Sequence, residues 1–290
     1  MRAVKQICLW LMSIVLLLSG LSCAVGPSPY EQPENGGIVY KQTDKGELVL
    51  DLLYPTRRLY ESNPTVLVFH GGGWISGSKE EFLTGFSPLV TALRQSGITV
   101  AAVEYRYAGS GLTWRDCLDD CEDALRFLID HADRYDVDTD RIGVIGYSAG
   151  AHLALMTAIE SGDAVRHCTA LSAPAVFVTD PGSPFYSTSL DYYMDWIFTD
   201  CSSRTALQEA SPTVKVNRRC TASFLLICGS EDSVVPSAHS EAFAKEAGSF
   251  GLDAKLMKVE GMTHSYAAYR GLDELCRTAA EAIADSLGTE

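Results

Sequence analysis

The chain has no excess of positive charge: 23 Lys and Arg stand against 37 Asp and Glu over 290 residues, a formal net charge of −14. This balance disfavours nucleic acid and anionic membrane surfaces as partners and suits neutral ones. No Cys-x-x-Cys pair and no His-x-x-x-His pair occurs, so the common zinc spacings are missing and no metal is expected. A Gly-Lys-Ser/Thr ending and a Gly-x-Gly-x-x-Gly spacing are also absent, which excludes the usual phosphate-binding loops. No repeat or low-complexity tract interrupts the chain.

Long apolar runs are scarce as well. Arg2 and Lys5 precede the run Ile7 to Leu18, which is short for a spanning helix of about 20 residues. Small residues follow, Ser19-Gly20-Leu21-Ser22-Cys23-Ala24, and the pattern is that of an export signal over residues 1–24. Cleavage after Ala24 is preferred to lipidation at Cys23, where Gly20 stands in place of the usual leucine. The expected location is periplasmic or extracellular, with no membrane contact unless Cys23 is lipidated. The nine cysteines spell no disulfide framework. Cys168 and Cys228 lie in apolar runs, Cys117 and Cys121 are spaced i, i+4 on a helix, and Cys201 with Cys220 is the best pairing available.

What remains, residues 25–290, is rich enough in apolar side chains for one large core: 47% of the chain is hydrophobic and 9% aromatic. Strand-like runs near 38–54, 65–70, 98–104, 141–147, 166–172, 222–228 and 254–259 alternate with helical patterns near 80–96, 114–134, 149–161, 237–249 and 270–287. Alternation of this kind predicts an α/β fold, a mostly parallel central sheet with helices on both faces. An early hairpin around Asp44-Lys45-Gly46 adds antiparallel strands. Ligands are then expected at the C-terminal ends of the strands. The stretch from about 173 to 215 breaks the rhythm and reads as a small cap insertion, with Phe177, Phe185, Tyr186, Tyr192, Tyr193, Trp196 and Phe198 concentrated in it.

Gly146-Tyr147-Ser148-Ala149-Gly150 sets a serine between two glycines at the junction of a buried strand and a helix. In such a turn strand and helix pass closely and the hydroxyl stands clear. His70-Gly71-Gly72-Gly73-Trp74 follows another strand, and its bare backbone suits the binding of an oxyanion by the N–H groups of Gly72 and Gly73, with that of Ala149 beside the serine. Asp232 lies just past the strand ending at Cys228, with Glu231 as the rival carboxylate, and His264 follows the strand ending at Val259. Ser148, Asp232, His264 is the chain order of an α/β-hydrolase, each member topping a different strand. His70 and His152 read as structural, the first fixing the glycine loop and the second packing beside the serine turn.

With these motifs the chain resembles the α/β-hydrolase-fold serine esterases, specifically the hormone-sensitive-lipase-like and acetyl or feruloyl esterase group, over about 250 residues. Ala151 departs from the glycine found there in many relatives; alanine is the better helix former, so the chemistry is unaffected. The resemblance implies a catalytic triad of Ser148, Asp232 and His264, an acyl-enzyme on Ser148, and no cofactor. It also implies a small-molecule or oligosaccharide ester substrate carrying short-chain acyl or aromatic groups, such as acetyl or feruloyl groups on plant polysaccharide fragments. Trp74, Tyr147, Tyr192 and Trp196 are the expected substrate pocket. Two alternatives are an amide hydrolase of the kynurenine-formamidase type and a non-catalytic binding protein on the same scaffold.

Overall fold

A computed structural model describes residues 37–199 and 203–289. The expected export signal, Cys23 and Cys201 lie outside them. Among the described residues no helix is long and apolar enough to cross a membrane.

Among the described residues eight strands form one sheet. β1 (Ile38–Thr43) and β2 (Gly46–Leu53) make the hairpin at Asp44-Lys45. After them come β3 (Asn63–Phe69), β4 (Thr99–Val103), β5 (Val137–Tyr147), β6 (His167–Leu171), β7 (Ser223–Gly229) and β8 (Ala254–Val259). The strand order is β1-β2-β4-β3-β5-β6-β7-β8, with β1, β2 and β4 antiparallel in turn and every other pairing parallel.

Helices cover both faces because alternate residues along the central strands are buried on opposite sides. Leu67 and Phe69 of β3, Ile142 and Val144 of β5, and Phe224 and Leu226 of β7 enter one core with α3 (Trp114–Asp130), α5 (Ala149–Glu160) and α9 (Ala238–Ser249). Val66 and Val68, Ile145, and Leu225 and Ile227 enter a second core with α1 (Lys79–Gly85), α2 (Ser87–Gln95) and α10 (Leu272–Ser286). The pattern expected as one helix over 80–96 is two helices, since Phe86 leaves helical geometry and Pro88 opens the next. The pattern over 114–134 likewise breaks at His131, before the single turn α4 (Ala132–Tyr135).

The chain between β6 and β7 carries α6 (Thr188–Ile197), α7 (Arg204–Ala210) and α8 (Pro212–Lys215). Buried histidines tie it down. His152 on α5 accepts a hydrogen bond from Trp74 Nε1 at 3.1 Å on Nδ1, which leaves Nε2–H to donate to Ala210 O at 2.8 Å. His239 on α9 accepts from the N–H groups of Ala175 and Val176 and donates to Phe185 O at 2.9 Å.

Candidate active site

β5 delivers Ser148 at its C-terminal end, and α5 begins at the next residue. Ser148 has φ 55°, ψ −118°, a left-handed backbone that costs a non-glycine residue roughly 1–3 kcal/mol and survives only where its surroundings enforce it. They do: Ser148 N–H donates to Leu171 O at 2.8 Å, and Ala151 and His152 donate back to Ser148 O. The helix also passes hard against β3, for a Cβ on Gly150 would lie 2.2 Å from Phe69 O and 2.3 Å from His70 O. Only glycine permits that approach, and it brings the glycine loop beside the serine.

In the loop itself Gly72 has φ 119° and Gly73 φ 62°. A side chain at Gly72 would meet Ser76 O and one at Gly73 would meet the Tyr193 ring. The loop is held from behind: Tyr105 Oη donates to His70 O at 2.7 Å, His70 Nδ1 donates to Gly71 O at 2.7 Å, and Ala108 N–H donates to Trp74 O at 2.8 Å. Among the described residues the N–H groups of Gly72 and Gly73 donate to no acceptor, and Ala149, as the first residue of α5, has no intrahelical partner for its own.

β7 and β8 bring the other two side chains. The loops after them touch, with Glu231 N–H donating to Met262 O at 3.0 Å and Gly229 lying against the Met262 carbonyl. Asp232 then meets His264: Nδ1 donates to Asp232 Oδ2 at 2.8 Å, so Nε2 is the acceptor, and Ser148 Oγ lies 3.0 Å from it. Glu231, the rival carboxylate, is exposed and takes no part.

Asp232 is buried and accepts four hydrogen bonds. Oδ1 takes the N–H groups of Val234 and Val235 at 3.0 and 2.8 Å, and Oδ2 takes the imidazole and Ser172 Oγ at 2.7 Å. Burial by itself would raise its pKa, but the hydrogen bond and charge of His264, with the Val235 N–H and the Ser172 hydroxyl, hold it below the usual carboxylate range. Sequence reasoning missed Ser172. It ends the run expected as a strand over 166–172, at the edge where functional side chains are presented, and that position was the available signal. Its φ of 50° and its contact with Tyr266 Oη at 3.3 Å could not be read from residue types.

The four expected pocket residues part company. Tyr147 flanks the site, its Oη donating to His264 O at 2.6 Å. Trp74 is 1% exposed, a core residue whose left-handed backbone (φ 64°) turns the indole toward His152 and Phe177. Tyr192 and Trp196 are 57% and 46% exposed on the outer side of α6. Helical periodicity explains the error: the neighbouring Tyr193 occupies the inward face and closes over Gly73. Of the expected Cys201–Cys220 pair, Cys201 lies outside the described residues, and Cys220 is a buried free thiol directed at Ala158 O.

Comparison with known proteins bears on the fold and the family. Residues 50–177 match the BD-FAE family. The chain is 30% identical over 247 residues to a probable isoprenylcysteine alpha-carbonyl methylesterase of Oryza sativa subsp. japonica, covering 79% of this chain and 56% of that one. It is 32% identical over 143 residues to an ethyl acetate hydrolase of Pseudomonas putida, covering 43% of each. The chain thus spans about half the length of the curated relatives it matches. Among solved structures, a truncated carbohydrate esterase from gut microbiota superposes with a TM-score of 0.74 at 16% identity, covering 91% of this chain and 99% of that one. An esterase of Pyrobaculum calidifontis does so with a TM-score of 0.74 at 22% identity, covering 90% and 88%. Sheet order, serine turn and these likenesses together place the chain among the α/β-hydrolase-fold proteins, similar in sequence to the esterases of that fold.

Proposed function

We propose that the protein is a serine carboxylesterase acting through an acyl-enzyme on Ser148. The observation that carries this reading is the hydrogen-bonded line from Ser148 Oγ through His264 to Asp232, 3.0 and 2.8 Å. His264 Nε2 takes the Ser148 proton as Oγ attacks the ester carbonyl, and the N–H groups of Gly72, Gly73 and Ala149 receive the oxyanion. Asp232 fixes the tautomer and stabilises the imidazolium. His264 then returns the proton to the departing alkoxide. Water repeats the cycle: it gives its proton to His264, attacks the acyl carbon, and releases the acid and free Ser148.

The substrates proposed are short-chain acyl or aromatic esters. Acetyl or feruloyl groups on plant polysaccharide fragments are one source of such esters, and esters of small alcohols are another. Export through residues 1–24 belongs to the same reading and supports an extracellular or periplasmic substrate. The test is hydrolysis of p-nitrophenyl acetate, butyrate and octanoate by the wild type and by Ser148→Ala. Acetate is expected to turn over fastest, and the variant is expected to lose about 10⁴-fold or more in kcat. Equal rates for the two proteins would overturn the assignment.

A further inference from the structure

A cleft of about 180 Å³ lies between the glycine loop, α1 and the turn after His264. Its walls include Gly72, Phe82, Gly85, Phe86, Tyr147 and Tyr266. The rings interlock, with Phe86 centred 4.9 Å from Phe82, 5.4 Å from Tyr147 and 5.6 Å from Tyr266. Both tyrosine hydroxyls are engaged elsewhere, Tyr147 with His264 O and Tyr266 with Ile227 O, so the rings offer the cleft carbon. An apolar cavity of about 150 Å³ holds a benzene molecule, so this volume matches one ring or a short alkyl chain. The exposed Glu81 carboxylate at the cleft disfavours an anionic group there.

Which arm of an ester would enter follows from the proton path. His264 Nε2 protonates the departing oxygen, so the alcohol arm leaves from the His264 side of the tetrahedral centre. Residues next to His264 line the cleft: Ser265 and Tyr266 directly follow it, and Tyr147 is bonded to the His264 carbonyl. Tyr193, which packs against Gly73, is not among the residues lining this cleft. We propose that this cleft is the alcohol subsite and that it selects neutral, apolar alcohols of about one ring in size over sugar hydroxyls. This rests on the esterase reading and narrows it to short-acyl esters of small apolar alcohols.

Gly85 provides the test. It ends α1, a Cβ there meets no atom within 4 Å, and its backbone is not left-handed, so a side chain can grow into the cleft. Benzyl acetate, ethyl acetate, ethyl butyrate and an acetylated xylo-oligosaccharide would be compared on the wild type and on Gly85→Leu. Filling a substrate subsite by even a few methylene groups alters discrimination by about 10-fold or more. The wild type is expected to prefer benzyl acetate to ethyl acetate and to the sugar acetate. Gly85→Leu is expected to lower the benzyl-to-ethyl ratio of kcat/KM about tenfold, leaving the butyrate-to-acetate ratio in place. A shift confined to the butyrate-to-acetate ratio would make the cleft an acyl site, and an unchanged pair of ratios, or a preference for the sugar acetate, would also overturn the proposal. Gly85→Ala, the smaller change, should give a drop of the same sign if Leu impairs folding. If the wild type cleaved no ester, the esterase reading would fail, and the cleft would still be judged by NMR line broadening of benzyl alcohol. Binding lost in Gly85→Leu supports the subsite, and equal binding in both proteins rejects it.

Discussion

At the scale of single residues, the candidate site depends on a carboxylate kept charged inside the protein. Among the described residues Asp232 sits on no helix N-terminus and against no arginine; two backbone N–H groups, a hydroxyl and an imidazole hold it. Ser172 contributes that hydroxyl at the expense of a left-handed backbone, φ 50°. The two effects can be separated. Ser172→Gly removes the hydroxyl and relieves the backbone, so the second effect offsets the first and the protein should be more stable than Ser172→Ala. Its kcat should nevertheless fall about tenfold with KM unchanged, because a hydrogen bond to a charged group contributes about 1.5–3 kcal/mol. Ser172→Ala should show the same loss of kcat together with lower stability. Steady-state kinetics and urea unfolding of both variants check this, and full activity in Ser172→Gly would make the hydroxyl irrelevant to the site.

At the scale of elements, the His152 ring links three pieces that are distant in the chain: the glycine loop through Trp74, α5 on which it sits, and α7 through Ala210. Replacing it with phenylalanine keeps the bulk but leaves the Trp74 N–H and the Ala210 carbonyl buried and unpaired. A buried orphan costs about 1–3 kcal/mol, so His152→Phe is expected to lose about 2–4 kcal/mol in urea unfolding. Faster amide exchange is expected in α7 and the glycine loop. A change below about 0.5 kcal/mol would mean that the ring only packs.

The same elements show what could be read in advance. Strand periodicity, the glycine spacings and strand-end logic located the sheet, the serine turn and the residues Asp232 and His264, because those signals are local along the chain. The facing of α6 was not local. Its tyrosines 192 and 193 are chemically alike, and which one turns inward is decided by contacts with Gly73 and Trp74. Trp74 was misplaced for a related reason, since its burial against His152 and Phe177 is set by contacts with residues distant in the chain. The split at Phe86, by contrast, had a visible cue in Pro88.

At the scale of the whole molecule, several histidines are used as neutral structural groups. Burial lowers His152, His167 and His239 from 6.5 to about 4. Once unfolded, each returns to about 6.5. Between these values the unfolded chain binds protons that the folded one does not, so their contribution is complete above about pH 6.5 and is lost as pH falls toward 4. Asp232, held below the usual carboxylate range, acts in the same direction at lower pH, since its contribution is lost as pH falls through its folded value. Urea midpoints should therefore decline steadily from about pH 7 to about pH 4.5, and His167→Gln should flatten part of that decline. A midpoint constant over this range would show that these rings are not buried and neutral.

The central claim is that Ser148, aligned with His264 and Asp232, is the nucleophile of an esterase. Treatment with a fluorophosphonate followed by peptide mass spectrometry tests it most directly, because only a serine activated by a neighbouring base reacts at an appreciable rate. The account predicts one stoichiometric phosphonyl adduct on Ser148, lost in Ser148→Ala and formed far more slowly in His264→Ala. No adduct, or an adduct on another serine with Ser148 left free, would contradict it.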